Sequence, residues 1–138
     1  MATNTQFSIA VHLMIALGFN CERQATSGEL ALSINTSPSF VRRILAKLSK
    51  ANLVSTTTGK SGSCLLAKKP ENISLLEIYN AVDAPKTFAI HDYPVQSQCR
   101  VSCNIEATMQ KVLAKAQKSF EKSLGETSLA EVIADIEK

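Results

Sequence analysis

The chain has 138 residues, 45% hydrophobic and 20% charged, with a formal net charge of +3 and no Trp. That length suits one domain, and the balance of apolar to charged residues fills a core, which excludes a disordered chain. No apolar run reaches the roughly 18 residues of a membrane span, and the apolar stretch 7–19 is short, is interrupted by His12 and follows no basic flank, so it is not read as a signal peptide.

The first predicted element is a helix over residues 5–18, where Phe7, Ala10, Val11, Met14 and Leu17 keep helical spacing and Gly18 marks the end. His12, inside this apolar helix, reads as a packed residue and not as a base. Thr26 followed by Glu29 is a capping box, and Leu30, Ala31 and Ile34 give the short helix behind it an apolar side. Ser37 and Pro38 then suit the N-cap and first position of a third helix running to about Ala51. Its buried stripe is Phe40, Val41, Ile44, Leu45 and Leu48, and two helices joined by so short a turn describe a helix-turn-helix.

Residues 53–67 change period. Val54–Thr58 is rich in β-branched side chains, "GKSG" has turn chemistry, and "SCLLA" returns as a second strand. A β-hairpin in this place is a wing, with Lys60 at its tip beside Ser61. Ser74 and Glu77 form another capping box, opening a helix over 74–84 that Pro85 closes. Residues 86–102 have no period and read as a loop. Ile105, Met109, Val112, Leu113, Ala116, Phe120 and Leu124 then follow one face of a long amphipathic helix ended by Gly125, and Ser128 with Glu131 opens a last short helix through Ile136. The expected fold is mainly α with a small β-hairpin wing: a winged helix-turn-helix over 1–84, a loop over 85–102, and a long helix with a C-terminal helix over 103–138.

Charge is distributed unevenly. Residues 30–70 carry Arg42, Arg43, Lys47, Lys50, Lys60, Lys68 and Lys69 and no acid, whereas the remainder of the chain is net acidic. A contiguous basic third is the footprint of a polyanion partner, most often nucleic acid. A recognition helix must pack one stripe and present the opposite face to a major groove about 12 Å wide. Ser37 and Ser39 stand at its N-terminal end, where the helix dipole favours phosphate. Arg42 and Arg43 lie one turn in, within reach of guanine edges, and Lys47 and Lys50 lie further back, nearer phosphate. Double-stranded DNA is the partner these residues suit.

With these residues placed, the chain resembles the winged-helix transcriptional repressors typified by IscR, NsrR and CymR. The resemblance covers nearly the whole length. It rests on "TSPSFVRRILAKLSKANLV", on the Gly-rich wing with "GKSGSCLLAKKPENISLLEIYNAV", and on "HDYPVQSQCRVSCNI". In that last segment His91, Pro94, Cys99, Val101, Asn104 and Ile105 match a cluster-free branch, while Arg100 and Ser102 depart from its Pro and Gly. The resemblance implies homodimers formed through the long helix, each reading a palindromic operator, with Ile105, Met109, Val112, Leu113, Ala116 and Phe120 at the interface. Many members place Arg before the first wing glycine. Thr58 stands there, which puts minor-groove reading by the wing in doubt, and Cys64 replaces a usual aromatic.

Cluster-binding members use three close cysteines and a further ligand before the long helix. Only Cys99 and Cys103 are offered here, with His91 near in sequence, which falls short of an iron–sulfur set and of a strong zinc motif. No cofactor or metal is expected. The pair Cys99/Cys103 is a candidate thiol switch, since four residues of helix bring two Cα atoms to about 6 Å, and Arg100 lies beside it. Against this stands the plainer reading that Cys99 is packed and Cys103 incidental, as Cys21 and Cys64 are expected to be. No motif of an enzyme is present. The function expected is that of a cytoplasmic, dimeric DNA-binding repressor switched by thiol oxidation, with a small molecule or an iron–sulfur cluster in the loop as the alternative signal.

Overall fold

Five of the helices begin on a side chain that caps them, and those caps divide the chain. The structure, a computed structural model, describes residues 5–19, 25–57, 63–86 and 88–138. The expectations for Cys21, Thr58, Lys60 and Ser61 lie outside the described residues. Helix α1 spans Gln6–Phe19, strand β1 Ala25–Thr26, α2 Ser27–Ile34, α3 Pro38–Lys50, β2 Val54–Thr56, β3 Ser63–Leu66, α4 Leu75–Ala81, α5 Arg100–Gly125 and α6 Leu129–Ile136. The hydroxyls of Thr26, Ser37, Ser74 and Ser128 accept the N–H of Glu29, Phe40, Glu77 and Glu131, satisfying donors that a helix start leaves orphaned. Cys99 does the same for α5 through its sulfur.

The core is built by the first three helices and closed by the later ones. Ala10, Leu13, Met14 and Leu17 of α1 meet Leu30 and Ala31 of α2 and Val41, Ile44, Leu45 and Leu48 of α3, and Ile73, Ile78, Val82, Leu129 and Ile133 close the far side. Between α2 and α3, Asn35 adopts the left-handed conformation (φ 69°) and returns its N–H to Ala31 O, which turns the chain sharply enough for a helix-turn-helix. The wing strands β2 and β3 pair antiparallel as expected, with Val54 opposite Leu66 and Thr56 opposite Cys64.

A third strand was not expected. β1 pairs with β3 on its other side, Ala25 opposite Cys64, so the wing is rooted in a three-stranded sheet of order β1-β3-β2. The first helix also continues through Phe19 instead of ending at Gly18. A Cβ at Gly18 would collide with the Ile133 side chain, so this glycine is there for close packing of α6 on α1 and not as a stop signal. His12 is exposed, not packed. Its Nε2 lies 3.0 Å from Ser33 Oγ on α2. The loop after α4 also ends earlier than expected, because Cys99 caps α5 and places Arg100, Val101 and Ser102 in its first turn.

Helix α5 is about 39 Å long by its 26 residues, whereas α4, on which it packs, has only seven. The consequence is visible in burial. Gln117 is the one fully buried residue of α5, and its Nε2 donates to Tyr79 Oη at 3.0 Å. The expected apolar face therefore divides. Leu113, Phe120 and Leu124 join Gln117 on the side that meets α4, where Phe120 stacks edge-on against Tyr79 at 5.5 Å. Val112 and Ala116 stay exposed, with Ile105 and Met109 half-buried.

Candidate nucleic-acid interface

Helix α3 buries most of its apolar stripe in the core, with Phe40 half-buried, and turns its bases outward, with only Lys47 half-buried. Val41, Ile44, Leu45 and Leu48 are at most 3% exposed, while Ser39, Arg42, Arg43 and Lys50 are exposed and the helix carries no acid. No carboxylate among the described residues pairs with a base of this face. Among the described residues the ion pairs are Lys68–Glu77, near the start of α4, and Asp135–Lys138 at the C-terminus.

Each base on α3 has its own surroundings. Arg42 faces the wing, lining a cleft with Ser27, Ala46, Ser49, Lys50, Thr56, Thr57, Ser63 and Cys64. Hydroxyls line that cleft, which suits phosphate oxygens and sugar. Arg43 lies over the Phe40 ring, 5.2 Å from its centroid, which holds the guanidinium out from the helix by a cation–π contact. Lys47 leans the opposite way, toward α1, and its Nζ donates to Gln6 Oε1 at 2.9 Å. Ser37 and Ser39, at the N-terminal end, share a contact of 3.4 Å between hydroxyls, and Ser37 at the same time caps the helix. Sequence reasoning identified these serines and bases but not Gln6 or the stacking role of Phe40. Gln6 lies 41 residues from Lys47, and only the packing of α1 against α3 joins them.

The base of the wing is closed by side chains. Thr57 N–H donates to Ser63 O at 2.9 Å, Ser63 N–H donates to Thr57 Oγ1 at 3.1 Å, and the two hydroxyls meet at 2.8 Å. These bonds close the end of the β2–β3 pair, and both residues line the cleft that Arg42 faces. Cys64, next along β3, is buried, and burial pushes its thiol pKa up from the ordinary value. A protonated, enclosed thiol is a poor nucleophile, in keeping with its expected structural part.

The other two described cysteines differ. Cys99 and Cys103 are both exposed and unlinked. The Cys99 sulfur accepts the Ser102 N–H at 3.4 Å at the positive end of the α5 dipole, and Cys103 Sγ lies 3.6 Å from Ser97 O and 3.7 Å from Gln96 O. The plainer reading of Cys99 as packed is thus corrected: one helical turn separates two exposed thiols. His91 stands apart, its ring 6.0 Å from that of Tyr93. Among the described residues no three His, Cys, Asp or Glu side chains come close enough to hold a metal ion. No described helix is long and apolar enough to cross a membrane.

The architecture has close counterparts among solved structures. A transcriptional regulator from Lactobacillus plantarum superposes with a TM-score of 0.83 at 25% identity, covering 96% of this chain and 90% of that one. IscR of T. potens superposes at 0.71 with 21% identity, over 99% of this chain and 88% of its own, and CymR, the global cysteine regulator of B. subtilis, at 0.69 with 17% identity, over 97% of each; at such identities these two speak for the fold alone. In sequence, YwnA of Bacillus subtilis, which carries the name of an HTH-type transcriptional regulator, is 33% identical over 132 residues, 94% of this chain and 96% of its own. Residues 3–135 match the family Rrf2, described as an iron-dependent transcriptional regulator. The chain belongs to the Rrf2 family of DNA-binding transcriptional regulators.

Proposed function

We propose that this regulator is a dimeric repressor that reads a palindromic operator with α3 and the wing, and that oxidation of Cys99 and Cys103 changes its grip on DNA. The observation that carries the reading is the exposed, acid-free face of α3 beside the hydroxyl-lined wing cleft. Arg42 and Arg43 stand one turn in from the helix start, where base edges are read, and Lys50 follows where phosphate runs. The uncovered side of α5, with Val112 52% exposed and Val101 67%, supports a second copy of the chain as its cover.

The switch is supported by the position of the two thiols. Peroxide would convert one thiol to sulfenic acid with release of water, and the second thiol would displace a further water to form the disulfide. Joining the sulfurs takes Cys99 from the Ser102 N–H and removes the S–H that Cys103 directs at two carbonyls. The first turn of the long helix would lose its cap where the two halves of a dimer are held. The family's description names iron, but the described residues of one chain do not gather a ligand set for it.

Capture of genomic fragments by the protein, with and without diamide, tests the reading. Arg42→Ala or Arg43→Ala is expected to cost about 1–3 kcal/mol on the selected operator. Oxidant is expected to release DNA, dithiothreitol to restore it, and Cys99→Ser or Cys103→Ser to be insensitive. Operator affinity unchanged in both arginine variants would remove α3 from the interface. A second reading, a small-molecule signal, is favoured by a cleft of about 700 Å3 lined by Lys86, Phe88 and Ile90 and, from α5, by Leu113, Gln117 and Phe120. It gains if the double serine variant responds to oxidant as the wild type does.

A further inference from the structure

Among the described residues, Lys47 is the base of α3 whose charged end is hydrogen-bonded to another helix. Its stem is half-buried between α3 and α1, and its ammonium meets a neutral partner, the amide oxygen of Gln6, at 2.9 Å. The neutrality matters. A carboxylate at this position would hold the ammonium equally well and cancel its charge. An amide fixes the direction of the side chain and leaves the full positive charge available.

Gln6 is itself anchored. It opens α1, and the next residue, Phe7, sets its ring edge-on against Tyr79 at 5.7 Å and 78°. The Tyr79 hydroxyl donates to Pro85 O at 2.8 Å and accepts from Gln117 at 3.0 Å, so α4, α5 and the start of the following loop all bear on the ring. The first turn of α1 is therefore built on a rigid aromatic support, and the Lys47 ammonium is placed relative to that support. On the other flank of α3, Arg42 faces the wing.

We propose that Gln6 is a positioning residue for DNA recognition, holding Lys47 charged and pre-ordered on the α1 flank of α3 to meet a backbone phosphate. The inference rests on the reading of α3 as the recognition helix. Ordering a long flexible side chain before binding removes a cost otherwise incurred on the DNA, worth roughly 3–10-fold in affinity.

The test is a double-mutant cycle on operator affinity, measured against salt with the full-length protein and a captured genomic fragment. Lys47→Met keeps the stem, removes the charge, and is expected to lower the salt slope by about 0.9, one phosphate contact. Gln6→Met keeps the helix surface and removes the acceptor. It is expected to weaken binding roughly 3–10-fold with the slope unchanged, and to have no effect when combined with Lys47→Met. Gln6→Glu is expected to retain thermal stability while lowering the slope by about one contact, a signature that a purely structural role would not give. Additive effects of the two Met variants, or an unaltered slope in Lys47→Met, overturn the proposal. If Arg42→Ala and Arg43→Ala bind as wild type, or no fragment is captured at all, the recognition-helix reading itself falls. If those arginine variants are weakened while the Gln6–Lys47 cycle shows no coupling, only the positioning role falls.

Discussion

Helices α3 and α5 are both amphipathic, and they use that property in opposite ways. In α3 the apolar stripe is consumed by the chain's own core, so what remains for a partner is the basic face. In α5 only one side meets the rest of the chain, by way of Gln117 and Phe120 against Tyr79, and Val112, 52% exposed, and Ala116 are left uncovered at mid-helix. A polar face left over suits a polyanion, and an apolar face left over suits another protein surface. A helical stripe thus points to function only after asking how much of it the fold has already used.

The sharpest way to break this contrast is to place charge on the uncovered side of α5. Val112→Asp puts a carboxylate where the single chain leaves the side chain in solvent, so the monomer should fold as before. In a two-fold dimer the same substitution places two carboxylates at the interface, which should cost roughly 4 kcal/mol or more and give monomers at micromolar concentration by sedimentation. Phe120→Asp should behave differently, lowering thermal stability as well, because Phe120 stacks on Tyr79 at 5.5 Å within the chain. A wild-type monomer, or a Val112→Asp dimer of wild-type affinity, would leave the open side of α5 without this role.

The converse substitution belongs in α3. Leu48 is fully buried among the first three helices, so Leu48→Ala should lower unfolding free energy by about 2–5 kcal/mol, seen as a reduced denaturation midpoint. Its effect on operator affinity should be no more than the unfolded fraction explains. An unstable variant with an additional large loss of DNA affinity would mean that the packed stripe and the basic face are not separable.

What could be read from the sequence follows the range of the interaction. Thr26, Ser37, Ser74 and Ser128 were legible as helix starts because a cap involves only the next three residues, and each makes the bond expected of it. The bases of α3 were legible for a similar reason, since spacing alone separates them from Val41, Ile44, Leu45 and Leu48. Strand β1 was not, because two residues have no period and their pairing is set by β3, almost forty positions on. Gln117 was not singled out at all, because the Tyr79 hydroxyl to which its buried amide donates lies 38 residues away. Gly18 resembled a helix end, and its true reason, the side chain of Ile133, comes from the last helix of the chain. Gln6 gave no signal of its own, and its link to Lys47 depends on two helices packing side by side.

The smallest expected effect is also the one that separates capping from contact at the start of α3. The Ser37 hydroxyl accepts the Phe40 N–H at 3.3 Å, whereas among the described residues the Ser39 hydroxyl meets only that of Ser37. Ser37→Ala should cost about 1 kcal/mol of stability by losing the cap, and Ser39→Ala close to none. Asp caps as well as Ser, so Ser37→Asp should restore the stability that Ser37→Ala loses. It also places a negative charge at the end of the helix that approaches the DNA backbone. Operator binding should therefore weaken in Ser37→Asp although the fold is as stable as wild type, and the loss should grow as salt is lowered, because repulsion between the carboxylate and phosphate is then less screened. If Ser37→Asp binds DNA as the wild type does, the N-terminal end of α3 does not approach phosphate, and the reading of the whole helix would have to shift toward its basic C-terminal half.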